Sequence, residues 1–139
     1  MKSAPRKRVK SKNKVKSLKA LKNEAWAKIS VYVRSLGADW QGYTYCYTCL
    51  KRFHWKDLDC GHFFHNRLDY DLRNLRKQCT ACNRFKHGNL GIYAIKLTQE
   101  LGLKGIKQLE KDSIKKGNNY SRQELFDIIN KFSDKGMRS

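Results

Sequence analysis

The chain has 139 residues with 31 Lys and Arg against 12 Asp and Glu, a formal net charge of +19. That length suits one domain with a modest core, and that charge repels itself unless a polyanion balances it, nucleic acid being the simplest partner; a basic surface kept only for solubility is the blander alternative. No apolar run approaches the roughly 18 residues of a membrane span, and the basic N-terminus lacks the apolar stretch of a secretory leader, so the expectation is a soluble cytoplasmic protein. Five cysteines without such a leader favour metal ligation over disulfides.

Met1 to Lys22 carries ten Lys and Arg and no acid. Residues 1–14 are expected to form a disordered basic arm in which Lys7, Arg8 and Lys10 contact phosphates, or else a targeting signal or nonspecific tail. The remainder, 15–139, reads as a single domain. Leu18, Leu21, Ala25, Ile29, Val33 and Leu36 recur at helical spacing, predicting a helix over 15–36 that Gly37 stops. Tyr43–Tyr47 and Phe53–Trp55 are β-prone and flank a Cys pair; with Leu58–Phe64 they predict a short hairpin around a metal knuckle within the segment 43–88. A short helix follows the second Cys pair and could end at Gly88. The part from 89 to 135 is expected to be helical: one helix over about 90–101 capped by Asn89, another over roughly 103–115, and a last one opened by the capping box Ser121-x2-Glu124. No internal repeat is visible.

Cys46-x2-Cys49 and Cys79-x2-Cys82 supply four thiolates, the ligand set of a closed structural zinc site. The 29 residues between the pairs leave room for a hairpin and a loop. Cys60 is either a substitute ligand or a buried thiol on the hairpin. A zinc with four thiolates has no open position, so any hydrolytic chemistry must lie beside it. His62 is the candidate base near neutral pH, with a zinc-ligating or core histidine as the alternative. Asp59 and Asn83 offer hard oxygens for Mg²⁺ or Mn²⁺, and Asn74 could fix the imidazole from its other side. His65 and His87 could reach the ion or a phosphate, while His54 reads as an exposed loop residue. Arg67, Arg73, Arg76, Lys77, Arg84 and Lys86 crowd the same segment and suit phosphate contacts, each being equally able to serve as a solvated charge.

Taken together, Cys46-x2-Cys49, Gly61-His62-Phe63, Asn74, Gln78-Cys79-x2-Cys82-Asn83, and Gly88-Asn89 followed by Tyr93, Leu97 and Gly102 resemble the HNH, or His-Me finger, endonucleases. The nearer resemblance is to the NinG/Rap family of lambdoid phages, over roughly residues 20–132. It implies an α+β fold in which flanking helices wrap a zinc-stabilised, treble-clef-like ββα-metal core. It also implies a metal-dependent DNA endonuclease acting on Holliday junctions and D-loops in a phage-infected bacterial cell. By further similarity to phage endonuclease VII, His62 is the general base, Asn83 a ligand of the catalytic ion and Asp59 its acidic ligand. In many HNH enzymes the acid directly precedes the base. Here Gly61 holds that position and Asp59 lies three residues before His62, so a kink at Gly61 is required for both to face one ion; Asp57, His65, Asp69 and Asp71 are substitutes.

The expected function is hydrolysis of branched recombination intermediates by a homodimer, the apolar helices forming its seam. The alternatives are a non-catalytic zinc module that binds nucleic acid, and an RNA-binding zinc protein, which the charge and the aromatics fit equally well. A pure binding module has no need of His62, Asp59 and Asn83 together.

Overall fold

The computed structural model describes residues 15–133, so the expected basic arm, with Lys7, Arg8 and Lys10, lies outside the described residues. Helix α1 runs from Leu18 to Ser35. It starts three residues later than the expected bound of 15 because the Ser17 hydroxyl accepts the Ala20 N–H at 3.1 Å and caps the first turn. Leu21, Ala25, Ile29 and Val33, four apart, form its buried face. Gly37, at φ +74°, turns the chain out of the helix, a conformation glycine enters without a Cβ penalty.

Two small antiparallel sheets follow. Strands β1 (Tyr43–Tyr45) and β2 (Arg52–His54) form the expected hairpin around the first Cys pair, with Thr44 opposite Phe53. Strand β3 (Leu58–His62) does not join that hairpin. After a 3₁₀ turn at Trp55–Asp57 it pairs instead with β4 (Leu75–Cys79), Leu58 lying opposite Cys79 and His62 opposite Leu75. The sequence hides β4, because Leu-Arg-Lys-Gln-Cys reads as a basic connector. In the fold, Arg76 donates to the Leu72 and Leu75 carbonyls at 2.7 and 2.6 Å, and the Lys77 ammonium reaches Thr44 Oγ1 at 2.6 Å, so both cations are consumed inside the structure.

A five-residue wide helical turn, Ala81–Phe85, comes next. Helix α2 spans Leu90–Lys116 but leaves helical geometry at Gly102 (φ 75°, ψ 165°), where the sequence pattern divides it into two. Asn89 precedes α2 in a left-handed conformation without capping it; its amide points at Cys82 Sγ, 3.8 Å away. Helix α3 covers Arg122–Ser133 and opens with the predicted reciprocal box: Glu124 N–H donates to Ser121 Oγ, and Ser121 N–H to Glu124 Oε1, both at 3.1 Å.

The molecule is therefore α+β. Ile29, Val33, Cys60, Leu75 and Phe132 join α1, the β3–β4 sheet and α3 in one core, and Leu21, Ala25, Leu125 and Ile129 continue it between α1 and α3. Leu68, Tyr93, Leu97 and Leu109 make a separate core inside the bend of α2. Among the described residues no helix is long and apolar enough to cross a membrane.

Candidate functional site

The four cysteines of the two pairs converge. The Sγ atoms of Cys46, Cys49, Cys79 and Cys82 lie within 4.8 Å of one another, the one such cluster of His, Cys, Asp or Glu ligand atoms among the described residues. Cys49 and Cys79 are 3.8 Å apart, the separation that a tetrahedral zinc with bonds of about 2.3 Å gives its sulfurs. Backbone N–H groups of Cys79 and Cys82 point at the sulfurs of Cys46 and Cys79, 3.3 and 3.4 Å away, as thiolates require. Burial opposes ionisation of Cys46, but hydrogen bonds from Cys49, Thr48 and Cys79 outweigh it and bring the thiol down to about 6. The donor set fits zinc. Cys60 is not part of it: it lies in the α1–β3–β4 core, and burial pushes its thiol up to about 12.

Asp59 and Asn83 are brought together. Asn83 Nδ2 donates to Asp59 Oδ2 at 3.1 Å, joining β3 to the turn after Cys82. Arg84 Nε donates to the same oxygen at 3.2 Å while two-thirds of its side chain stays exposed. A cavity of about 330 Å³ opens over this pair, lined also by Trp26, Arg34 and Lys56. Another cavity, of about 660 Å³, lies between the α2 C-terminus and α3 and holds none of these groups.

His62 ends β3. Its ring stacks on Trp26 of α1, with centroids 4.8 Å apart and planes 15° from parallel. Its Nε2 sits 3.2 Å from Asp69 Oδ1, close but outside hydrogen-bonding geometry. Burial lowers the imidazole's pKa and His65 adds to that, while Asp69 pulls it up; the net direction is down, which keeps the ring neutral at pH 7. Asp69 is itself clasped by Asn118 at the α2–α3 turn, through Asp69 N–H to Asn118 Oδ1 at 3.0 Å and Asn118 Nδ2 to Asp69 Oδ2 at 2.8 Å.

Three expectations need correction. The Asn74 amide makes its bonds to the loop after His62 rather than to the imidazole: Oδ1 accepts Phe64 N–H at 2.8 Å, and Nδ2 donates to the Phe64 and Arg67 carbonyls at 3.1 and 2.9 Å. Gly61 is not a kink, for it stays in the ladder opposite Arg76. Its lack of a side chain serves close approach, since a Cβ there would sit 2.0 Å from Gln78 Oε1 and 3.2 Å from Asn83 Oδ1. Asp59 accordingly faces Asn83 and Arg84, whereas His62 faces Trp26 and Asp69; Trp26 is the residue the two groups share. The third concerns the cations. Arg73 is bound by Asp71 at 2.7 Å and Asp112 at 2.9 Å, Arg76 by Glu100 at 3.1 Å, and Lys77 is half-buried. Arg67, Arg84 and Lys86 remain exposed.

Sequence reasoning missed Trp26, Gln78 and Tyr93 as supports. The Tyr93 hydroxyl donates to the Gly61 carbonyl at 3.0 Å, and Gln78 Nε2 donates to Thr48 Oγ1 and the Gly88 carbonyl at 3.1 and 2.8 Å. Both are fully buried. Gln78 and Tyr93 stand in the motif that carries the resemblance, and that was the signal available for them; nothing in the sequence marked Trp26 as a partner of His62.

A family model described as Bacteriophage Lambda NinG protein matches residues 2–138. Relatives called Protein ninG are 31% identical over 112 residues in Escherichia phage 933W (73% of this chain, 52% of the relative) and 36% identical over 58 residues in Salmonella phage P22 (39% and 29%). That of Escherichia phage lambda is 34% identical over 56 residues (37% and 28%). The chain spans about half or less of the length of these relatives. No solved structure matches. A match over nearly the whole chain means that this chain belongs to the NinG family of bacteriophage lambda proteins.

Proposed function

We propose that the chain is a metal-dependent DNA endonuclease of the HNH, ββα-metal type that hydrolyses phosphodiester bonds in branched recombination intermediates. The supporting observation is the Asp59–Asn83 pair, 3.1 Å apart at an open cavity, with Asp59 on a strand paired to β4 and Asn83 directly after Cys82 of the cysteine cluster. The order β3, loop, β4, helical turn, with His62 at the end of the first strand and Asn83 in the turn, agrees with that reading.

Asp59 and Asn83 would hold the divalent ion, Mg²⁺ or Mn²⁺, through hard oxygens. When bound, the ion supplies positive charge at the scissile phosphate. His62, which shares Trp26 with the Asp59–Asn83 cavity, would take the proton of the attacking water. Trp26 holds the ring plane and excludes water from one face. Arg84 exchanges Asp59 for a phosphate oxygen, and the exposed Arg67 and Lys86 add phosphate contacts. The zinc of Cys46, Cys49, Cys79 and Cys82 stays structural.

The test is nicking of a four-way junction with Mg²⁺ or Mn²⁺. The wild-type chain should nick it, and His62→Ala should bind it with cutting reduced on the order of 100-fold or more. Equal cutting by both proteins would sink the mechanism. One observation favours a non-catalytic zinc module that binds nucleic acid: Asp59 already has partners in Asn83 and Arg84. Junction binding with no cutting by either protein would select that reading.

A further inference from the structure

The outer face of the β1–β2 hairpin carries an unbroken series of aromatic and cationic contacts. The Arg52 guanidinium lies 4.4 Å over the Tyr43 ring. Tyr43 meets the edge of His54, centroids 5.4 Å apart, and His54 stacks towards Trp55 at 6.1 Å. Arg34 and Lys56 approach the Trp55 ring at 5.3 and 5.8 Å. These two cations also line the cavity that holds Asp59, Asn83 and Arg84. The series thus leads from the hairpin into the candidate site.

The rings are held in place. Gly42 leaves its Cβ position to His54, whose Nε2 would lie 2.4 Å from that atom, and His54 Nδ1 accepts the Lys56 N–H at 3.2 Å. Tyr45 shares the outward side of β1 with Tyr43 and is 57% exposed. Asp39 is the carboxylate on this face; it pairs with Arg52 at 3.1 Å, fixing the guanidinium over the Tyr43 ring.

Exposed aromatics interleaved with cations are the surface that unpaired nucleotides require: bases stack on the rings and phosphates lie along the charges. A duplex hides its base faces and would use only the cations. The net charge of +19 sets the sign of the partner. We propose that this strip is a track for single-stranded DNA, entering over Tyr43 and Tyr45 and running past Trp55 to Arg34, Lys56 and the Asp59–Asn83 cavity. Its role as the path of an unpaired arm towards a cutting site rests on the nuclease reading; its binding does not.

The experiment measures binding of a twelve-nucleotide oligo(dT) and of a twelve-base-pair duplex to the full chain at 150 mM salt, by tryptophan quenching and by anisotropy. The single strand should bind at least tenfold more tightly than the duplex and quench tryptophan fluorescence. The Tyr43→Ala/Tyr45→Ala protein, with zinc content and circular dichroism unchanged, should lose about five- to hundredfold in single-strand affinity and little in duplex affinity. Trp55→Phe should retain the affinity and lose most of the quenching. A duplex bound as tightly as the single strand, an unchanged double variant, or tighter binding of oligo(rU) than of oligo(dT) would each overturn the track. Ring-dependent binding without any junction cutting would keep the track and remove the nuclease; His62-dependent cutting without ring-dependent binding would do the reverse.

Discussion

Replacing Gly61 by alanine adds one methyl group at the tightest point of the β3–β4 sheet. The methyl would lie 2.0 Å from Gln78 Oε1 and 2.9 Å from its Cδ. A free glutamine would swing away at little cost, but this one is fully buried and its Nε2 is bonded to Thr48 Oγ1 and the Gly88 carbonyl. Clearing the methyl moves the amide by about 1 Å and breaks both bonds, at roughly 1 kcal/mol each, with a similar further cost for the overpacked sheet. Gly61→Ala should therefore lose about 3 kcal/mol, a fall in Tm on the order of 10 °C for a domain of this size. Gln78→Ala alone should cost about 2 kcal/mol, and the double variant no more, because the new methyl then occupies vacated space. Urea or thermal denaturation of the four zinc-loaded proteins measures this cycle. Additive losses, or a Gly61→Ala protein within about 0.5 kcal/mol of wild type, would refute the assignment of Gly61 to close approach.

The isolated protein should carry one zinc per chain by mass spectrometry; Cys82→Ser should lose it, whereas Cys60→Ala should retain it and lose only core stability. In an NMR titration, His62 should take up its proton below 6.5, and Asp69→Asn should move the midpoint lower still, because Asp69 is what pulls it up. The folded imidazole resists protonation while the unfolded one accepts it near 6.5, so this group destabilises the fold as pH drops below that value and has no effect above it. Arg73→Ala should weaken folding by up to about 1 kcal/mol through its pairs with Asp71 and Asp112 and leave DNA affinity unchanged. Arg84→Ala should instead lower the slope of log affinity against log salt by about 0.9.

What the sequence made legible were patterns with a single physical meaning. The stripe of α1, the break at Gly102 and the Ser121–Glu124 box each state a local rule that the fold obeys. The four cysteines announced their meeting because a CxxC pair has few other uses. The β3–β4 pairing was not legible: Arg76 and Lys77 read as solvent-facing cations until Glu100, Thr44 and the backbone carbonyls that bind them are in view. The spacing of Asp59 and His62 asks for a kink at Gly61, because periodicity alone cannot distinguish a glycine needed for its backbone freedom from one needed for its size. The partners of His62, Trp26 and Asp69, lie 36 residues before it and seven after, and nothing in the local pattern marks either.

The cysteine cluster also sets which parts of the molecule come apart together. Apart from its thiols, the core under the hairpin holds little apolar bulk, chiefly Leu58 and Phe53, whereas α1, α3 and the β3–β4 sheet share two well-filled cores of their own. Stripping the metal should thus detach the hairpin as a cooperative unit while the helical body persists, and amide exchange would accelerate in β1 and β2 long before α1. Zinc in this arrangement would be a latch between the hairpin and the groups of the cavity, and an oxidant that consumes the thiolates would part the two without unfolding the helical body.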